Sequence, residues 1–321
     1  MQSFPELLSA VETRLQQGKL FAQQPQNLYE PCTYLLGLGG KRIRPVLCLM
    51  AAELFDKIPE DAWSAAMGIE LFHNFTLIHD DIMDKAPLRR GQPTIHHKYG
   101  LTAGILSGDV MCIAAYRQIA AVRSQLAPVL QLFNQVAIEI CEGQQLDMDF
   151  ETRNDVSVDD YLGMIALKTS VLVAASLKIG ALIGGATEGA SNKLYAFGKN
   201  LGLAFQLQDD YLDAFGDSQA TGKQAGGDIL ANKKTYLHLY AQANVSSAQA
   251  QKMQALISEG GPDKVNGMLA IFRETGADKA CREAVEMYSG RAFSCLEEVA
   301  VLSKRKEPLH ALAQSLLQRT S

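Results

Sequence analysis

On a helix turning ~100° per residue, Gly202, Gln206, Asp209, Asp210 and Asp213 share one stripe about a quarter-turn wide. Leu201, Leu203, Ala204, Phe205, Leu207, Tyr211, Leu212, Ala214 and Phe215 fill nearly all the rest of that helix. A helix apolar on most of its circumference belongs inside a protein, and a carboxylate buried there without a partner is costly. The stripe therefore demands metal ions or strong cationic partners. The same spacing occurs at Asp80, Asp81 and Asp84, in Leu-Ile-His-Asp-Asp-Ile-Met-Asp. Two such triplets facing each other across a helical bundle would repel unless hard cations sat between them. Mg²⁺ suits that place, since it takes oxygen ligands and shares them between carboxylates and a substrate phosphate.

The first triplet alone decides nothing. On its helix Leu71, Phe75, Ile78 and Ile82 form an apolar side, and Glu70, His73, Asp80, Asp81 and Asp84 lie opposite, as on any surface helix.

Helical periodicity runs through the whole chain, broken by short Gly, Pro, Asn or Asp stretches, and strand signals are scarce. The stretches read as helices at 4–20, 26–38, 44–56, 60–85, 101–121, 127–150, 157–186, 190–216, 231–243, 247–258, 262–274, 277–303 and 306–319. No composition shift marks a boundary, so 1–321 reads as a single all-α domain, one large helical bundle. The stretches 101–121 and 170–186 are apolar on most faces and call for burial or a second subunit, so a homodimer is expected.

The 35 acidic and 30 basic residues leave a net charge of −5, against a nucleic-acid or anionic-membrane binder. No CxxC pair occurs among the six cysteines, which lie in apolar runs and read as buried reduced thiols. Val171–Ala186 is interrupted by Lys178 and is shorter than the ~20 residues of a membrane span. With no signal peptide at the start, the reading is a cytoplasmic protein without an integral membrane segment.

Two basic clusters accompany the acids. Gly39-Gly40-Lys41-Arg42-Ile43-Arg44-Pro45 is a glycine turn, then cations, then a proline suited to a helix's first turn, an entry that favours an anion. It differs from a P-loop, because Arg42 stands where Ser or Thr follows the lysine and no strand precedes it. Arg89-Arg90-Gly91 follows the first triplet closely. Solvated charge explains either cluster alone. Cations beside metal-binding acids suit two phosphorylated ligands, one chelated through metal and one gripped directly by Lys and Arg. Lys168 sits in an otherwise apolar helix, and Thr221–Lys234 reads as a lid or a solvated linker.

From roughly residue 35 to 236 these motifs resemble the trans-isoprenyl diphosphate synthases, or polyprenyl synthetases. The matching residues are Gly39-Gly40-Lys41-Arg42-x-Arg44-Pro45, Glu70-x-x-His73, His79-Asp80-Asp81-x-x-Asp84 with Arg89-Arg90-Gly91, and Gly108-Asp109. Gly143-Gln144-x-x-Asp147, Lys168-Thr169, Gln206-x-x-Asp209-Asp210-x-x-Asp213-x-x-Gly216-Asp217, Lys223, Asp228 and Lys233-x-Thr235 follow in the family's order. Asn232 departs from the usual Gly, but Asn tolerates a left-handed conformation.

The resemblance implies a bundle around a central cavity, usually dimeric. The two triplets, Asp80, Asp81, Asp84, Asp209, Asp210 and Asp213, become metal candidates, with Asp80, Asp84 and Asp209 holding the Mg²⁺ that chelates an allylic diphosphate. Arg89, Lys168, Lys223 and Lys233 are expected on that diphosphate, and Lys41, Arg44, His73 and Arg90 on isopentenyl diphosphate. Lys168, Thr169 and Gln206 are the expected catalytic groups, steadying an allylic cation. Phe75 and Thr76, five and four positions before the first motif, are expected to set chain length. A single aromatic at Phe75 resembles enzymes making C20, with C15 or longer products as alternatives. Outside that activity stand an HD-type metal phosphohydrolase, a class I terpene cyclase and a non-catalytic subunit of a heteromeric synthase. His79-Asp80 matches the first, although only His73 precedes it; the cyclase lacks a repeated Asp triplet, and the subunit tends to lose one.

Overall fold

A computed structural model describes residues 1–18, 20–216, 226–261 and 263–318. Their architecture is all-α, apart from one two-stranded hairpin among the described residues. The helices are α1 (Phe4–Gln17), α2 (Gln26–Gly37), α3 (Ile43–Glu53), α4 (Glu60–Met83), α5 (Ile95–Tyr99), α6 (Leu101–Ala120), α7 (Leu126–Thr152), α8 (Val158–Ile165), α9 (Val171–Ile183) and α10 (Glu188–Phe215). Helices at Gly227–Leu230, Tyr236–Asn244, Ser247–Glu259, Lys264–Glu274, Ala277–Glu297 and Ser303–Leu317 follow. Residues Ala166–Ser170, between α8 and α9, form a π-turn.

The described residues form two compact units. The first comprises Met1–Gln135, Ala175–Tyr195 and Val299–Leu309. Its buried centre is α3, where every residue from Pro45 to Ala52 is buried. Glycines let α9 approach α3 backbone to backbone: a Cβ on Gly180 would lie 2.8 Å from the Cys48 carbonyl carbon, and one on Gly184 2.5 Å from Ala52 O. The same device brings α6 onto α4. Gly68 faces Ile119 and the Ala115 carbonyl, Gly104 faces Ile82, and Gly108 lies under the His79 ring.

The second unit comprises Val136–Ala174, Ala196–Glu298 and His310–Ser321. Its core gathers Phe150, Tyr161, Met164, Leu207, Leu237, Ile271 and Phe272. Lys234 donates to the carbonyls of Phe150, Glu151 and Arg153, satisfying the open C-terminal end of α7.

Three expectations need correction. The stretch 231–243 does not start a helix at 231: Asn232 takes a left-handed turn at φ 56°, and the helix begins at Tyr236. Cys141 is exposed on α7, although Cys32, Cys48 and Cys281 are buried; all six thiols are free. The greasy segment is also longer than its core suggests, because the π-turn joins α8 and α9 into a 26-residue helical run, Val158–Ile183. By length and composition that run reaches membrane-spanning size, but 67% of its most apolar stretch is buried within the fold, as in the core helix of a soluble protein.

Candidate active site

Helix α4 presents His73, Asp80 and Asp84 within about 40° of one another, the first two ~10 Å apart along the axis. Asp84 is exposed at the C-cap, and Asp80 is partly buried. Asp81 turns inward, 3% exposed, and both its oxygens are taken by Arg89. Arg89 Nε lies 2.9 and 2.8 Å from them, and its Nη2 lies 2.7 Å from Oδ1 and 3.8 Å from Asp80 Oδ2. Burial works against the Arg89 charge but is outweighed by Asp81, Asp80 and Asp84, so its pKa rises.

The hairpin that delivers Arg89 was not visible in the periodicity. Leu88 pairs with Pro93 and Arg89 with Gln92, so the loop is Arg90-Gly91. Both loop residues have positive φ, 54° and 73°, as a two-residue hairpin turn requires. Glycine provides this freely, whereas Arg90 is held there by a hydrogen bond from its Nη1 to the Gly39 carbonyl. Arg90 thus lies against Gly40, where a Cβ would come within 2.9 Å of Nη2.

Arg44 completes this basic group. Its Nη1 lies 3.3 Å from His73 Nε2, and its Nε is buried without a hydrogen-bond partner among the described residues. Burial, partly offset by Glu70, lowers the Arg44 pKa; burial and then Arg42 lower that of Arg90. His73 is pushed well below its ordinary range by loss of water and by Arg44, Arg90, Arg89 and Arg42, so its ring is neutral at pH 7. Lys41 is exposed beside this group. An unpaired buried guanidinium N–H, a second arginine and a neutral imidazole are groups that can hold an anion without a metal.

Phe75 packs edge-on against Phe72 at 5.3 Å and His79 at 4.9 Å, ring centre to ring centre. The Thr76 hydroxyl returns to the His73 carbonyl at 2.8 Å. His79 Nε2 lies 3.2 Å from Ile105 O and 3.8 Å from Asp109, so this ring engages α6, which disfavours the phosphohydrolase reading.

In the second unit the π-turn carries Lys168 and Thr169. Such turns are rare and recur at functional sites. Two glycines make room for it: a Cβ on Gly143 would lie 2.8 Å from Leu167 C and Lys168 Cα, and one on Gly202 2.7 Å from Ser170 Cα. Lys168 Nζ reaches Asp147 Oδ2 at 2.6 Å, and Gln144 Nε2 is buried with no hydrogen-bond partner among the described residues.

The second triplet is not uniform. Asp209 is exposed. Asp213 accepts from the Asp228 amide at 2.9 Å, and Lys233 Nζ lies 3.4 Å from Asp228 Oδ1. Asp210 is 4% exposed and accepts from the Tyr161 hydroxyl and from Gln206 Nε2 at 3.2 Å. Burial, reinforced by Asp228, pushes its pKa up to about 7 against those hydrogen bonds. The carboxylate whose burial called for metal is thus satisfied by a phenol and an amide.

Lys223 and the first part of the expected lid lie outside the described residues. Among the described residues no three His, Cys, Asp or Glu side chains already form a metal cluster. The donors available around α4 are hard carboxylate oxygens, a set that suits Mg²⁺ when substrate oxygens complete the coordination. Sequence reasoning gave no role to Arg42, Tyr161 or Lys234, whose partners lie 28, 49 and about 80 residues away.

Residues 25–274 match the family model described as polyprenyl synthetase. The chain belongs to that family. It is 38% identical over 272 residues to the geranylgeranyl diphosphate synthase of Methanosarcina mazei, covering 80% of this chain and 84% of that one. It is 35% identical to the geranylfarnesyl diphosphate synthase of Natronomonas pharaonis, covering 94% and 93%. A crystal structure of a geranylgeranyl pyrophosphate synthase superposes with a TM-score of 0.94 at 44% identity, covering all of both chains. As a polyprenyl synthetase the chain is an all-α prenyltransferase of isoprenoid biosynthesis.

Proposed function

We propose that this polyprenyl synthetase condenses isopentenyl diphosphate with dimethylallyl, geranyl or farnesyl diphosphate to give an all-trans C20 product, geranylgeranyl diphosphate. The observation that carries the reading lies within the first unit. One face of α4, with the hairpin beside it, combines a metal-free anion grip (Arg44, His73, Arg90) with hard carboxylate oxygens, those of partly buried Asp80 and exposed Asp84. Two diphosphates with different modes of attachment are what this condensation requires. Relatives named for C20 synthesis, and the single aromatic Phe75 before the first motif, support the product assignment.

In this reading Asp80, Asp84 and Asp209 are the Mg²⁺ donors, with Asp81, Asp210 and Asp213 anchoring their helices to Arg89, Tyr161 and the Asp228 amide. Mg²⁺, when bound, would neutralise charge developing on the departing allylic diphosphate. Arg89, Lys168, Lys223 and Lys233 add cations toward that group. Lys41, Arg44 and Arg90 hold isopentenyl diphosphate, and neutral His73 contributes a hydrogen bond rather than a charge. Lys168, Thr169 and Gln206 steady the allylic cation while the isopentenyl double bond attacks C1. The proton then lost goes to the released diphosphate.

The whole chain acts as one catalytic domain, working as a homodimer in the cytoplasm. On α6, Leu101, Ile105, Leu106 and Ile113 are 44–67% exposed, an apolar face that suits a second copy. Purified chain incubated with Mg²⁺, isopentenyl diphosphate and each allylic primer tests the proposal by product chromatography. Released phosphate, a cyclic hydrocarbon or no turnover would overturn it, and a C15 or C25 product would overturn the length alone.

A further inference from the structure

The motif Gly39–Pro45 contains one cation that no substrate can reach. The Arg42 side chain is fully buried, with Nε 2.8 Å from Glu12 Oε1, Nη1 2.7 Å from Glu70 Oε1 and Nη2 2.7 Å from the Leu36 carbonyl. Three helices are thereby tied to one guanidinium: α1 through Glu12, the end of α2 through Leu36, and α4 through Glu70. Asn74 extends the network, donating to Glu70 Oε1 at 2.9 Å. Arg42 itself sits at φ 43°, ψ 35°, a left-handed conformation that is strained for a non-glycine residue. Such strain persists only where surroundings over-determine it.

We infer that Arg42 is a positioning residue, which with Glu12 and Glu70 holds the Gly39–Arg44 turn in the shape that brings Arg44 to His73 and the Gly39 carbonyl to Arg90. The inference rests on reading Lys41, Arg44, His73 and Arg90 as a diphosphate grip. Two carboxylates around one guanidinium, buried Glu70 and partly exposed Glu12, also leave a net negative charge behind that grip. Glu70 favours the charged forms of both Arg44 and Arg90, and Glu12 that of Arg90, while neither arginine has an ion-pair partner of its own among the described residues. The network thus keeps two adjacent cations tolerable before an anion arrives. Lysine at position 42 keeps the charge but cannot make all three directed bonds.

The test compares the full chain with Arg42→Lys and, as a milder change at the accessible end of the network, Glu12→Gln. Calorimetric binding of inorganic pyrophosphate without metal should weaken about tenfold in Arg42→Lys and about threefold in Glu12→Gln. In turnover, KM for isopentenyl diphosphate should rise by the same factors, with KM for the allylic substrate within about twofold and kcat within about threefold. Unchanged pyrophosphate affinity in a folded Arg42→Lys chain overturns the inference. So does a fall in kcat together with equal rises in both KM values, which marks a merely structural residue. A parent chain that binds pyrophosphate but never condenses isopentenyl diphosphate, with Arg42→Lys binding weakly, refutes the proposed function while this inference survives. A parent chain that binds no pyrophosphate overturns both.

Discussion

Lys168 Nζ lies 2.6 Å from Asp147 Oδ2, so the charged end of the π-turn is clamped to α7, whose Gly143 makes room for the turn's backbone. The motif Gly143-Gln144-x-x-Asp147 and the pair Lys168-Thr169 are therefore two sides of one joint. Alanine at Gly143 would press its methyl against backbone atoms, which cannot swing aside as a flexible side chain can. Gly143→Ala should cost about 3 kcal/mol or more and be seen as a lower urea midpoint. Asp147→Asn should unfold near the parent midpoint but lose roughly tenfold or more in kcat, since Lys168 is no longer held; parent-like kcat would refute this role.

Asp209 and Asp210 adjoin in sequence and differ in what their loss should do. Asp209 is exposed, so Asp209→Ala, like Asp80→Ala, should leave the unfolding temperature within about 2 °C while turnover falls by about 100-fold or more. Asp210→Ala strips the buried Tyr161 hydroxyl and the Gln206 amide of their partner, at a cost of about 1–3 kcal/mol. Scanning calorimetry separates the two. Equal melting temperatures for the Asp209 and Asp210 variants would show that Tyr161 does not depend on this carboxylate.

Removing the Phe75 ring leaves Thr76, whose hydroxyl is tied back to the His73 carbonyl, as the next side chain at that level of α4. Phe75→Ala should therefore shift the product beyond C20, read by chromatography of the dephosphorylated chains. An unchanged product spectrum would place the stop deeper, at residues other than the Phe72–Phe75–His79 group.

Much of this was legible in the sequence because it is local. Helix periodicity located the major helices, and the spacing of the acids put His73, Asp80 and Asp84 on one face of α4. The hairpin at Leu88–Pro93 escaped because four paired residues have no period to read; its signal was the Arg90-Gly91 turn. Asp210 escaped for a different reason. It is the outermost member of its stripe, nearest the apolar side, and what draws it inward is a tyrosine 49 residues earlier. Arg42 read as one more cation of a basic cluster, since its carboxylate partners lie on α1 and α4 and its left-handed backbone leaves no mark in composition. Tertiary partnership is what a single sequence withholds.

The helix at Tyr236–Asn244 buries His238, 8% exposed, where burial and then nearby Lys234 and Lys264, against a hydrogen bond to Gln242, push its pKa down to about 4. Below pH 6.5 the unfolded chain takes up a proton that the folded chain refuses until about pH 4. The folded state is therefore at full advantage above pH 6.5 and loses ground as pH falls through that window. At ~1.36 kcal/mol per unit the loss reaches about 3 kcal/mol. His73, also depressed, acts in the same direction, so the informative quantity is the difference between the parent and His238→Gln. Urea unfolding at pH 7.5 and pH 5 should show a smaller acid loss in His238→Gln. Equal losses in the two proteins would mean that His238 takes up its proton without leaving the core.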